Sequence, residues 1–243
     1  ASDLDCEFAL CSGFKLRTQA ARRFAETWRI PMIVAELGYM RRAHKAFDEE
    51  GYFQLGWNRI GWTPDEAGPE RLAALELEIR DTIASPGGYT LVALQLPNDG
   101  QHGLSEAKLS EWLASEARRL AQSGPCEFVL RPHPRRPDAL MQGIEFQAVQ
   151  SPGSVSLTQS LAGASRVLTY NSTTGVDAML QGVPVHAHAS AVYDGYAVEN
   201  LTTRMRFLER LAYAQWTLDE LRSGTALEFL LSQPRHAGLA KQR

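Results

Sequence analysis

Cysteine is scarce. Cys6, Cys11 and Cys126 are three thiols scattered over 243 residues, which excludes a disulfide framework and a cysteine-built zinc site. Long apolar runs are missing too: no stretch reaches the ~18 residues of a membrane-spanning helix. No basic stretch followed by an apolar core marks a signal peptide, so a reducing, cytoplasmic setting is expected. Charge of one sign is also lacking. The 25 Lys and Arg against 28 Asp and Glu leave a net charge of -3, too little to draw nucleic acid, and no nucleic-acid partner is expected. There is no internal repeat and no low-complexity segment, which argues against a solenoid and against disorder. What remains is a soluble chain whose 44% apolar content can bury one large core or two small ones.

Apolar runs of strand length alternate with helical patterns. Residues 8–11 and 32–35 read as strands around a helix over 18–28, a β-α-β unit. Residues 51–64, rich in Gly, Trp and Asn, read as irregular, with Trp57 and Trp62 assigned to core packing; a helix is expected over 70–83. Ser85-Pro86-Gly87-Gly88 then breaks the pattern. Beyond it the alternation is more regular: strands over 90–96, 127–130, 145–149, 166–170 and 183–187, helices over 105–122 and 174–180, and a helix or turn over 157–162. A helical tail over 202–231 is interrupted at Ser223-Gly224. The expectation is an α/β protein of two Rossmann-like halves, 1–86 and 87–200, with C-terminal helices over 201–243 packing across them.

Three loops that follow strands carry candidate chemistry. His133, between Pro132 and Pro134, is displayed on an extended loop flanked by Arg131 and Arg135. Tyr170-Asn171-Ser172-Thr173-Thr174-Gly175 is a hydroxyl-rich turn opening a helix, where unpaired N–H groups and the macrodipole favour a phosphate; a plain N-cap fits it equally. Asp99 follows the first strand of the second half, and Glu36 stands just after the second strand of the first. Each fits a turn or strand-end role, and each also fits glycosyl transfer, where one carboxylate attacks the sugar and another handles the acceptor proton.

Taken in order, Cys11-Ser12-Gly13, Ala35-Glu36-Leu37-Gly38-Tyr39-Met40-Arg41-Arg42, Leu94-Gln95 with Asp99-Gly100-Gln101, Arg131-Pro132-His133-Pro134, Asn171-Ser172-Thr173-Thr174-Gly175 and the tail from Leu211 to Gly224 resemble the retaining β-Kdo transferases of bacterial capsule and O-antigen assembly. The resemblance implies a compact GT-B glycosyltransferase that takes CMP-Kdo as donor, needs no metal or cofactor, and serves a glycan or glycolipid acceptor, with a peripheral assembly complex at the inner face of the membrane. It implies Asp99 as nucleophile and Glu36 as acid/base. It further implies His133, Ser172, Thr173, Thr174, Gly175, Arg131, Asn171 and Arg41 as the nucleotide-sugar-binding set. The family's acidic motif reads Glu36-Leu37-Gly38-Tyr39 here, without its second acid. Two other classes stay open: an inverting transferase or epimerase of similar fold, and a module that binds a nucleotide sugar without turnover.

Overall fold

Strands whose two faces alternate between different apolar partners must be covered on both sides, and the second half of the chain is built this way. In a computed structural model that describes residues 6–13, 18–43, 48–84, 87–124, 126–137, 149–150, 155–196 and 200–234, the chain divides into two units. One is formed by residues 1–77 and 206–243, the other by 78–205.

In the first unit, β1 (Ala9–Ser12) and β2 (Met32–Leu37) run parallel, joined through α1 (Gln19–Trp28). This is the expected β-α-β unit. β3 (Phe53–Trp57) then pairs antiparallel with β2. The segment expected to be irregular therefore holds a strand. The reason is Gly56: a Cβ there would lie 2.3 Å from the Cβ of Trp62, so a residue that usually weakens a strand lets an indole pack onto this one. Trp57 and Trp62 are buried in the core with Ile33, Leu55, Trp216, Ala226 and Leu230, as expected. Met32 and Val34, one position out of phase, face Cys11 and Ala25 on the other side.

The expected helix over 70–83 is only α2 (Glu70–Ala74). Leu72 and Leu75 are buried, but Glu76 turns to a φ of 47°, which ends the helix. In the second unit the sheet order is β6-β5-β4-β7-β8, all parallel, for β4 (Tyr89–Ala93), β5 (Phe128–Arg131), β6 (Val149–Gln150), β7 (Ala164–Thr169) and β8 (Val185–Ala187). Of the strand expected over 145–149, residues 145–148 lie outside the described residues. The helix α3 (Glu106–Ala121) covers one face through Leu109, Leu113 and Ala117 against Val92, Leu94, Phe128, Leu130 and Leu168. The opposite face, with Leu91 and Val167, is covered by α4 (Leu157–Ala162) and α5 (Thr174–Leu180). The parallel second sheet is consistent with a Rossmann-like half; the first sheet matches that expectation only in its opening β-α-β unit.

α6 (Leu201–Ala212) carries the chain back to the first unit. There the tail is not wholly helical. β9 (Gln215–Trp216) pairs antiparallel with β3 before α7 (Leu218–Arg222) and α8 (Thr225–Ser232). The expected break stands at Gly224, with a φ of 87°. Arg71 ties this region together. Its Nη1 and Nη2 donate to the two carboxylate oxygens of Glu220 at 2.8 Å each, its Nε to the carbonyls of Ala212 and Gln215, and its guanidinium lies 3.9 Å from the centre of the Trp216 ring.

Burial pushes the Glu220 carboxyl up, but the bonds from Arg71 and from Thr217 outweigh it and hold the group below its ordinary range. A depressed folded-state pKa stabilises the fold above the ordinary carboxylate range and loses that contribution as pH falls. Arg71→Ala is expected to cost about 2 kcal/mol in urea unfolding at pH 7, since a bidentate charged pair and a stacked guanidinium are both lost. The cost should shrink when the measurement is repeated near pH 3.

Candidate functional site

In a parallel sheet, ligands collect at the carboxyl ends of the strands, in the crevice where the strand order reverses. With β4 first in sequence and β5 and β7 on its two sides, that reversal lies between β4 and β7. The three candidate loops of the second unit leave the carboxyl ends of β5, β4 and β7, which are consecutive neighbours in the sheet. Strand spacing of about 4.8 Å sets their roots side by side.

The loop after β4 closes on itself. Asn98 takes a φ of 57° and donates its N–H to the Leu104 carbonyl at 2.6 Å; the Asp99 carbonyl accepts from Gly103 at 2.7 Å and His102 at 3.2 Å. The half-buried Asp99 carboxylate accepts the Gln101 N–H through Oδ1 at 2.9 Å, so it shapes its own turn as a short acidic side chain does. His102 is fixed by the Leu104 N–H at its Nδ1. Burial holds His102 below the usual imidazole range, with the charge of Asp99 and the Leu96 backbone pulling the other way.

His102 also joins a group of rings at the head of the α3-facing core. Tyr170 stacks on His188 with centroids 4.2 Å apart and planes 10° off parallel, while Trp112 and His102 meet Tyr170 edge-on at 5.0 and 5.6 Å. His186, within β8, bonds Glu116 of α3 at 2.6 Å.

After β5, the half-buried His133 accepts the Arg135 N–H through Nδ1 at 3.1 Å. Arg131 points to the α4 face, where Nη1 donates to the Val155 carbonyl and to Ser160 Oγ, both at 2.9 Å. Its head group anchors α4. After β7, Asn171 is buried and bonded to Gln95. The turn beyond it is fixed from within: Thr174 N–H donates to Ser172 Oγ at 3.2 Å, and Ser172 Oγ donates to Thr174 Oγ1 at 3.2 Å. Gly175 N–H and the Tyr193 hydroxyl both donate to the Ser172 carbonyl, at 3.0 and 2.7 Å. Thr173, at the N-cap position of α5, makes no side-chain cap bond.

In the first unit, β2 extends through Leu37, so Glu36 lies within the strand and not after it. Its Oε1 accepts the Leu37 N–H at 2.9 Å. The Gly38–Met40 segment is held by Gln215, which is fully buried: Oε1 accepts from Tyr39 and Met40 N–H at 2.7 and 3.3 Å, and Nε2 donates to the Leu211 carbonyl at 3.1 Å. Burial pushes the Tyr39 phenol up to about 12. Arg41 is exposed, with a φ of 42°, and its guanidinium reaches the Glu76 carbonyl at 3.4 Å. Sequence reasoning passed over Gln215, His102 and Tyr193, because the contacts with Tyr39, Tyr170 and Ser172 that give them their roles lie outside the local pattern.

No family model matches the sequence, and no curated protein does. Two solved structures from Thermosulfurimonas dismutans KpsC are similar. Its β-Kdo 2,4 transferase superposes with a TM-score of 0.56 at 14% identity, over 91% of this chain and 86% of that one. Its β-Kdo 2,7 transferase gives a TM-score of 0.52 at 13% identity, over 93% and 99%. The chain has the fold of these KpsC domains. The KpsC likeness spans most of the chain in both comparisons. At this identity it is a likeness of backbone.

Gly175 offers a test of how the hydroxyl turn is built. A Cβ there would fall 2.0 Å from Cζ of the Tyr193 ring, the same ring whose hydroxyl holds the Ser172 carbonyl. Gly175→Ala is expected to destabilise the protein by about 1–3 kcal/mol through overpacking, read by chemical denaturation. Combining it with Tyr193→Ala should make the two costs markedly non-additive.

Proposed function

We propose that this chain is a glycosyltransferase that moves a Kdo-type sugar from CMP-Kdo to a glycan or glycolipid acceptor with retention of configuration. One observation carries the reading: the loops bearing His133, Asp99 and Ser172–Thr174 leave neighbouring strands at the switch edge of a parallel sheet, in a chain with the fold of two Kdo transferase domains.

In this reading the units are the acceptor and donor halves of a compact GT-B enzyme. His133, Ser172, Thr173 and Thr174 hold the anionic donor, with Gly175 keeping the turn close to Tyr193. Arg131 and Asn171 support that seat from behind through Ser160 and Gln95, and Arg41 offsets the carboxylate of Kdo. The Asp99 carboxylate attacks the anomeric carbon, the bond to the CMP phosphate oxygen breaks, and CMP departs with the electron pair. The acceptor hydroxyl then attacks the same carbon, passing its proton to Glu36 and releasing Asp99. Two inversions give net retention. Cationic neighbours matter because Kdo carries its own carboxylate beside the reacting carbon. A glycolipid acceptor would bring the protein to the inner face of the membrane; among the described residues no helix is long and apolar enough to cross one.

A second reading, a module that binds the nucleotide sugar without turnover, is favoured by one feature. Leu37 replaces the second acid of the family's motif, and Glu36 is turned to the Leu37 N–H.

Incubation with CMP-Kdo and a Kdo-terminated acceptor separates the two. Wild type is expected to transfer, and Asp99→Ala to lose on the order of 10³-fold in kcat or more, with a sugar adduct on Asp99 visible by mass spectrometry of the intact wild type. Full activity in Asp99→Ala removes that residue from the mechanism. Calorimetric titration with CMP, UDP and GDP should show preference for CMP; tight CMP binding without transfer supports the module.

A further inference from the structure

The backbone ladder between β4 and β7 ends at the Val92–Leu168 pair. Side chains prolong it. Thr169 Oγ1 donates to the Ala93 carbonyl at 3.2 Å. Two residues past the end of each strand, Gln95 meets Asn171: Gln95 Oε1 accepts the Asn171 backbone N–H at 2.9 Å and the Thr169 hydroxyl at 3.4 Å, while Gln95 Nε2 donates to Asn171 Oδ1 at 2.8 Å. The backbone N–H of Asn171 can only donate, which fixes the orientation of the glutamine amide. Asn171 is buried, at 6% exposure, so its N–H and Oδ1 would be stranded without Gln95, whereas the Thr169 hydroxyl keeps the Ala93 carbonyl.

The bond pair lies at the switch point, between the loop of Asp99 and the turn of Ser172–Thr174. Only Leu96, Pro97 and Asn98 separate Gln95 from Asp99, and from Asn98 to Leu104 the loop is closed by its own hydrogen bonds. It therefore moves as one body hung from Gln95. A second tie joins the same two elements through the His102 ring set edge-on against Tyr170.

We infer that Gln95 is a positioning residue for the proposed transfer: its amide, continuing the β4–β7 ladder, sets the distance between the Asp99 carboxylate and the hydroxyl turn that seats the leaving phosphate. The inference rests on the functional reading above. Gln95 acts through the loop. Loosening it misplaces the attacking group while leaving the donor's seat on the turn, so the cost falls on the rate of the chemical step more than on binding.

Gln95→Leu removes donor and acceptor at nearly constant volume, and Gln95→Glu keeps an acceptor for the Asn171 N–H while losing the donor. In Gln95→Leu, kcat with CMP-Kdo is expected to fall about 10–100-fold with KM changed less than about threefold. The Asn171 amide should exchange its hydrogen faster than in wild type. Gln95→Glu should fall between the two, and it serves as the variant of record if Gln95→Leu does not fold. Wild-type kcat in the leucine variant, or a loss carried by KM alone, overturns the positioning role. If wild type itself shows no transfer, the functional reading fails, and the tie is still judged by exchange: unchanged protection of Asn171 in the folded variants overturns it independently.

Discussion

Where two parallel strands part at their carboxyl ends, each still carries backbone donors and acceptors that the ladder no longer pairs, and when these are buried they need other partners. The half-buried amide of Gln95 meets this constraint at the β4–β7 divergence. It pairs the Asn171 N–H, the Thr169 hydroxyl and the Asn171 side chain together. The loop of Asp99 and the turn of Ser172–Thr174 diverge from a point where side-chain bonds continue the backbone ladder.

The first unit solves the same problem with the same residue type. Gln54 donates to the Leu37 carbonyl and accepts from Gly61 N–H, while Gln215 accepts from Tyr39 and Met40 and donates to Leu211. The chain leaving β2 is thus held by two buried amides, each using donor and acceptor together. Gly38 allows the close approach: a Cβ on it would meet the Tyr52 carbonyl oxygen at 2.6 Å and Gln215 Oε1 at 2.7 Å. Glutamine suits these places because its neutral amide can be buried at modest cost when both ends are satisfied, where a carboxylate could not.

The polar groups singled out for chemistry turn out to be divided between structure and surface. Arg131 and Asn171 are bound into the scaffold through Ser160 and Gln95, and the Ser172 hydroxyl shapes its own turn through Thr174. His133 and Asp99 remain half-buried on loops at the edge of the sheet, the placement from which a side chain can reach a ligand. Arg131, the last residue of β5, alternates with Leu130, which faces α3, and so turns its guanidinium to α4, where it bonds Ser160.

Much of this was legible in the chain. The parallel sheet of the second unit follows from apolar runs alternating with helical periods, and α5 begins and ends at Thr174 and Leu180, as its hydroxyl start and trailing glycine dictate. The failures share one cause. β3 was hidden by Gly56, whose purpose is Trp62; β9 was hidden inside a helical tail because its pairing partner lies more than 150 residues earlier; and the helix expected to reach residue 83 stopped where Leu75 had already found its place in the core. Local pattern determines which residues must be buried and which turns can form, since those depend on side chains close in sequence. Sheet order, the faces on which Arg131 and Asp99 emerge, and the glutamines that lock the strand ends were decided only by tertiary structure, because a hydrogen bond between residues 95 and 171, or 39 and 215, leaves no periodic mark on the chain.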